Sequence, residues 1–261
     1  MLLDKFRLDG KVAIVTGAGR GIGQGCALAF AEQGASVVCA ARTREQLDAT
    51  AEQARTHGAR ALPVVCDVMQ RADLENLVAS AMREFGRIDI VVNNAGGTPP
   101  MEALHTSEAM FEEAFRFNVT SAFLLTRLSV PKMLESGGGS IVNISSAAGR
   151  LVMAGFVAYG TAKAALSFMT RELGREFAPK VRVNAIAVGA VETSALAPFL
   201  DDDLRGKMSA LTPMGRIGSV EDIAIAALYL ASPASGWVTG KVFEVDGGTE
   251  ATNWPFEPTR I

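Results

Sequence analysis

Tyr159 and Lys163 are the pair of side chains whose types and spacing could move a proton. Within a helix, four residues of separation places phenol and ammonium on one face. A free tyrosine has a pKa near 10, too high for a base at neutral pH, and a neighbouring ammonium favours the phenolate. Alone, such a pair is structural more often than catalytic, so its company decides. Ser145 and Ser146 follow an apolar run at 141–144, and Ser146 stands thirteen residues before Tyr159. Asn93-Asn94-Ala95-Gly96 follows another apolar run, and Asn118 interrupts a helical pattern over 111–126, where a short polar side chain is mildly unfavourable.

Near the N-terminus stands Thr16-Gly17-Ala18-Gly19-Arg20-Gly21-Ile22-Gly23. Glycines at 17, 21 and 23 let a backbone turn sharply and approach a pyrophosphate, with the next helix aiming its first N–H groups at the anion. A glycine trio is weak evidence by itself, since a strand-to-helix turn with no ligand has the same composition. The spacing is G-x-x-x-G-x-G, not the commoner G-x-G-x-x-G. In dinucleotide folds the end of the second strand chooses the cofactor, an acid there binding the ribose of NAD. This chain has Ala40-Ala41-Arg42. Arg42, with Arg20 in the turn, can pair with a 2′-phosphate, because a guanidinium fork matches phosphate geometry. Arg42 could equally be a solvated residue at a helix start.

These groups need a frame. Apolar runs at 12–15, 36–40, 61–66, 88–92, 140–144, 181–186 and 242–245 read as strands. Helical patterns cover 21–33, 44–57, 73–85 and 156–177, with Gly58 and Gly86 as C-terminal stops. Near-continuous apolar strands mark a sheet buried on both faces. Their alternation with helices predicts an α/β Rossmann-type doubly wound parallel sheet of seven strands. Ligands sit at the carboxyl ends of such strands, where Ser146 and Asn94 fall. No linker or repeat divides the 261 residues, so 1–261 is expected to be one domain.

Composition excludes several functions. A net charge of −3 with scattered basic residues gives no field for nucleic acid or anionic lipid. No apolar run approaches a membrane span, and residues 1–11 do not read as a signal peptide. Cys26, Cys39 and Cys66 lack metal spacing and lie in apolar stretches, and His57 and His105 are far apart. The expectation is no metal, buried inert thiols and a cytoplasmic location.

Taken together, T-G-x-x-x-G-x-G at 16–23, Asp67-Val68, N-N-A-G at 93–96, Asn118, Ser146, Y-x-x-x-K at 159–163 and Asp246-Gly247-Gly248 resemble the short-chain dehydrogenase/reductase family, over residues 8–248. The resemblance implies hydride transfer between a nicotinamide and an alcohol or ketone carbon. It implies Tyr159 as general acid/base, Lys163 lowering its pKa and binding the nicotinamide ribose, Ser146 holding the substrate oxygen, and Asn118 positioning a water that relays protons to Lys163. Gly17, Arg20, Gly21, Ile22 and Gly23 would hold the pyrophosphate region, and Asp67 and Val68 the adenine. Asn94, Ala95 and Gly96 would line the ribose region, and Gly189, Val191 and Thr193 the nicotinamide, with Thr193 on its carboxamide. Ala41-Arg42 looks like the family's NADP pattern, so NADP(H) is expected over NAD(H). One departure is Val188-Gly189 where the family usually has Pro-Gly; valine restores an N–H and a free φ, and the change is expected to be absorbed.

The same resemblance makes residues 194–212 a substrate lid. Its Leu196, Phe199, Leu200, Leu204 and Met208 suit a hydrophobic ketone, or they only pack the lid itself. Segments 94–97, 193–196 and 211–218 look like bacterial 7α-hydroxysteroid dehydrogenases. The 3-oxoacyl-(acyl-carrier-protein) reductases share the motifs, and a carrier-protein partner would need basic residues at the mouth, for which Arg150, Arg205 and Lys207 are candidates. A non-catalytic dinucleotide sensor or scaffold has no need of the intact Asn118, Ser146, Tyr159 and Lys163 set. The family's helix pairing, with Phe115, Phe123, Leu124, Leu166, Phe168 and Met169 on apolar faces, implies a homotetramer. The apolar tail at 254–258 is expected to pack on a neighbouring subunit.

Overall fold

In this computed structural model, which describes residues 1–193, 196–197 and 200–254, seven strands form a single sheet in the order β3-β2-β1-β4-β5-β6-β7. They are β1 (Val12–Thr16), β2 (Ser36–Ala41), β3 (Ala61–Val65), β4 (Ile90–Asn93), β5 (Gly139–Ser146), β6 (Val181–Val188) and β7 (Val242–Val245). Every neighbouring pair is parallel. The chain turns back at β1 and moves outward again from β4, so the crevice between the ends of β1 and β4 is the switch point where such sheets take ligands.

Helices cover both faces. On one side lie α1 (Gly21–Glu32), α2 (Arg44–Thr56) and α8 (Val220–Ala231), burying Phe30, Leu47, Ile223 and Leu230 against the sheet. On the other lie α3 (Arg71–Phe85), α5 (Ser121–Glu135) and α6 (Val157–Glu176), contributing Leu74, Leu77, Leu125, Met133 and Leu173. α4 (Glu108–Phe115) leads into α5, and α7 (Asp202–Ala210) lies in the expected lid region. Burial of both sheet faces explains why β1 is apolar at four of its five positions with no exposed side.

Three differences from the expected elements have physical causes. β5 and β6 each run two residues further, to Ser146 and Val188, because the two extensions pair with each other, Ser145 opposite Ala187 and Ser146 opposite Val188. Asn143, fully buried, donates to Thr170 Oγ1 (2.9 Å) and accepts from Asn93 Nδ2 (2.8 Å). β4 begins at Ile90, not 88; the buried Asp89 carboxylate instead accepts from the Val12 N–H (3.0 Å) and pairs with Lys11 and Arg87. The single helix expected over 111–126 is two helices joined by a π-helical turn, Arg116–Thr120. Asn118 sits in that turn, and such turns gather at functional sites.

Candidate active site

The end of β1 is fastened to the end of β4 by one hydroxyl. Thr16 Oγ1 accepts from the N–H groups of Asn94 (3.0 Å) and Ala95 (3.1 Å) and donates to the Val92 carbonyl (3.2 Å). Asn94 returns its amide to the Thr16 carbonyl (2.9 Å). Above this brace Gly17 and Gly21 have φ of +65° and +57°, a region open to glycine at little cost. A Cβ on Gly23 would collide with the Gly17 carbonyl oxygen, so α1 starts as close to the turn as backbone permits. No side chain caps α1, which leaves its first N–H groups aimed at the crevice. This cradle of close backbone and open donors fits the pyrophosphate of a dinucleotide.

A cavity of about 880 Å³ extends from the cradle across the carboxyl ends of the strands. All of Gly17, Arg20, Gly21, Ile22, Arg42, Asp67, Val68, Asn94, Ala95, Gly96, Ser146, Tyr159, Lys163, Gly189, Val191 and Thr193 line it. Gly23 and Asn118 lie behind the lining, one closing the cradle and the other close to Gly96. Asp67 spends one carboxylate oxygen on the Met69 N–H (3.0 Å). Arg20 and Arg42 are exposed at the mouth, and neither forms an ion pair among the described residues. Val188 ends β6 in register with Ser146 and Val245 and is 7% exposed, so the chain absorbs valine there as ordinary strand.

At the reacting end, side chains alternate across β5. Ser145 turns into α6, bonding the Lys163 carbonyl (3.0 Å) and Ser167 Oγ (2.8 Å). Ser146 Oγ instead accepts from the Ala148 N–H (3.2 Å), on the side of the cavity that Tyr159 also lines. Lys163, 3% exposed, donates to the Ile144 carbonyl (2.8 Å) with its Nζ 5.6 Å from the Tyr159 ring centre. Burial draws the ammonium down from 10.5 to about 8. Burial also raises the Tyr159 phenol above its ordinary 10, with Ser146 pulling the other way. Burial outweighs that pull, and a positive charge beside the ring would favour the ionised phenol. Asn118, 2% exposed, accepts from the Gly97 N–H (2.9 Å) and donates to the carbonyls of Ala114 (2.8 Å) and Gly97 (3.2 Å). Its side chain holds the loop after β4, and a Cβ on Gly96 would meet both Asn118 Oδ1 and Lys163 Nζ.

The buried ammonium has a measurable consequence. A lysine whose folded pKa is lower than its unfolded one binds fewer protons when folded, so stability rises with pH between about 8 and 10.5. Below 8 the burial penalty is present in full. Lys163→Met is expected to flatten that rise, read as urea midpoints at pH 7.5, 8.5 and 9.5. An identical slope in the variant would show that the ammonium is not desolvated.

The candidate basic mouth is neutralised. Arg150 contacts Glu244 (3.2 Å), Asp246 (3.1 Å) and Glu250 (3.1 Å). Arg205 contacts Glu192 (2.8 Å) and Asp202 (3.0 Å), and Lys207 pairs with Asp203 (2.6 Å). In the lid, Leu200 and Met208 bury themselves with Ile217, against Leu196, Leu204 and Trp254. The lid packing reading thus holds for Leu200, while Leu196 and Met208 also face the cavity. Phe199 and residues 255–258 of the tail lie outside the described residues. Sequence reasoning missed Phe156, Met153 and Asn253 as lining residues, since no motif marks them. Leu166 is buried within its own subunit, whereas Phe115, Phe123 and Phe168 are exposed. The three cysteines are buried and unpaired, with burial pushing their thiols up to about 12. Among the described residues no cluster could hold a metal, and no helix is long and apolar enough to cross a membrane.

Comparison with known proteins agrees with this architecture. A family model described as enoyl-(acyl carrier protein) reductase matches residues 17–250. An uncharacterized oxidoreductase of Mycobacterium tuberculosis is 53% identical over 97% of each chain. The 3-oxoacyl-(acyl-carrier-protein) reductase of Thermotoga maritima is 36% identical over 93% of this chain and 99% of its own. A solved 7α-hydroxysteroid dehydrogenase, in complex with NADH and 7-oxo glycochenodeoxycholic acid, superposes with a TM-score of 0.91 at 39% identity, over 95% of this chain and 97% of that one.

Proposed function

Since the chain belongs to the short-chain dehydrogenase/reductase family and is an oxidoreductase of alcohol and ketone carbons, we propose that it works with NADP(H) in preference to NAD(H) and reduces or forms a hydrophobic ketone of the hydroxysteroid kind. When bound, the nicotinamide supplies or accepts the hydride. The Tyr159 hydroxyl donates its proton to the carbonyl oxygen in reduction and takes it back in oxidation. Ser146 Oγ holds that oxygen beside the phenol. Lys163, anchored on Ile144, holds the nicotinamide ribose and, with a water positioned by Asn118, returns protons to Tyr159. Arg20 and Arg42 hold the 2′-phosphate.

The observation that carries the substrate reading is the outer cavity itself. Leu151, Met153, Phe156, Leu196, Met208 and Trp254 line it, and each candidate cation at its mouth is paired with a carboxylate. An apolar wall whose candidate carrier-protein contacts, Arg150, Arg205 and Lys207, are all paired with carboxylates favours an apolar ketone over an acyl group delivered on a carrier protein. The carrier-protein reading draws support from the Thermotoga relative, so both belong in one test. Absorbance at the NADPH band is followed with oxo-steroids, acetoacetyl thioesters and simple aryl ketones, each with NADPH and with NADH. The highest kcat/KM is expected for the oxo-steroid with NADPH. A higher value for the thioester would replace the substrate reading. NADPH binding without any turnover would favour a sensor.

Exposed Phe115, Phe123 and Phe168 fit the homotetramer implied by the family. Three unpaired thiols suit the reducing cytoplasm.

A further inference from the structure

The last described residues return to their own subunit's cavity. Trp254 lines that cavity and packs edge-on against Phe156, ring centres 5.7 Å apart and planes at 88°. Phe156 in turn stands 6.0 Å from the Tyr159 ring. Three aromatic rings therefore run outward in sequence from the reacting hydroxyl. The neighbouring Asn253 is 8% exposed and donates to Thr212 Oγ1 at the end of the lid (3.0 Å). At the base of the same segment Arg150 donates to the Thr249 carbonyl (2.7 Å) and pairs with Glu250 and Asp246. Residues 249–254 are thus fixed at both ends, to the loop after β5 and to the lid, with an indole set into the wall between them. At Trp254 the chain packs on its own Phe156.

We propose that Trp254 is a specificity-determining residue, whose indole contacts the distal body of a multi-ring apolar ketone while Tyr159 engages its carbonyl. The inference rests on the ketone reading of the site and adds the residue that measures substrate length. An aromatic wall two rings beyond the reacting group rewards a rigid, flat substrate, because apolar faces bury area against it at little cost in conformational freedom. A ketone of one ring reaches Tyr159 without meeting Trp254.

The test uses the NADPH-loaded enzyme with a fused-ring oxo-steroid and with cyclohexanone. Trp254→Ala is expected to lower kcat/KM for the steroid about 20-fold, mostly through KM, and to change that for cyclohexanone less than about twofold. Trp254→Phe should recover most of the loss, and the Kd for NADPH should not move. Equal losses with both ketones, or none with either, would overturn the inference. A second readout is independent of turnover. Trp237 and Trp254 are the chain's two tryptophans, so in a Trp237→Phe background the emission reports Trp254, and the steroid should quench it saturably. Quenching without turnover would sink the ketone reading and keep the indole contact. Turnover without quenching would sink the contact and keep the reaction.

Discussion

Tyr159→Phe is expected to cut ketone reduction about a thousandfold while leaving the Kd for NADPH within about twofold. The ring remains, so its packing against Phe156 is kept, and only the hydroxyl is lost. Neither His57 nor His105 lines the cavity. Ser146 is a far weaker acid than the proton transfer needs, and Lys163 is tied to the Ile144 carbonyl. No neighbouring group takes over cheaply, which is why the loss should fall on kcat and not on binding. Stopped-flow single turnover separates the two. Activity retained within about tenfold would mean that Tyr159 is not the proton donor.

The second large effect concerns the cofactor. Arg42→Asp should lower the ratio of kcat/KM for NADPH over NADH by about 100-fold or more. A charge-assisted hydrogen bond to phosphate is worth about 1.5–3 kcal/mol, and the new carboxylate both repels the 2′-phosphate and offers the ribose of NADH an acceptor. Ala41 beside it leaves the strand end without an acid, and Arg42 has no ion pair among the described residues to compete for it. The proposed preference for NADPH should shrink as salt rises, because Arg42 is exposed. If both cofactors weakened equally, Arg42 would instead be touching a part they share.

How much of this was legible beforehand depended on whether the cause was local. The strands were readable because burial on both faces leaves apolar runs such as that of β1. That the candidate residues would meet at one cavity was readable because glycine conformations, the four-residue helical step and strand ends are short-range geometry. The break at Asn118 was not, since the side chain that sits in the π turn is tied to Gly97, 21 residues away, a contact with no sequence signature. The extra length of β5 was hidden by Ser145 and Ser146, which look like loop until the partners of Ser145 on α6 and the pairing with β6 are known. Trp254 looked like a tail too apolar to be free, which is correct; where it goes is decided by Phe156 and the lid, and neither contact has a sequence signature.

The fastening of Arg150 has a consequence for how the chain is born. The phosphate cradle joins residues 16 to 95, all from the first half of the polypeptide. Arg150 meets its partners about a hundred positions later, at 246–250. Synthesis proceeds from the N-terminus and segments can fold as they emerge. The nucleotide cradle can therefore take shape on the ribosome well before Arg150 meets its partners, so a chain stopped just after β7 is expected to keep the cradle and lose the indole side of the ketone wall.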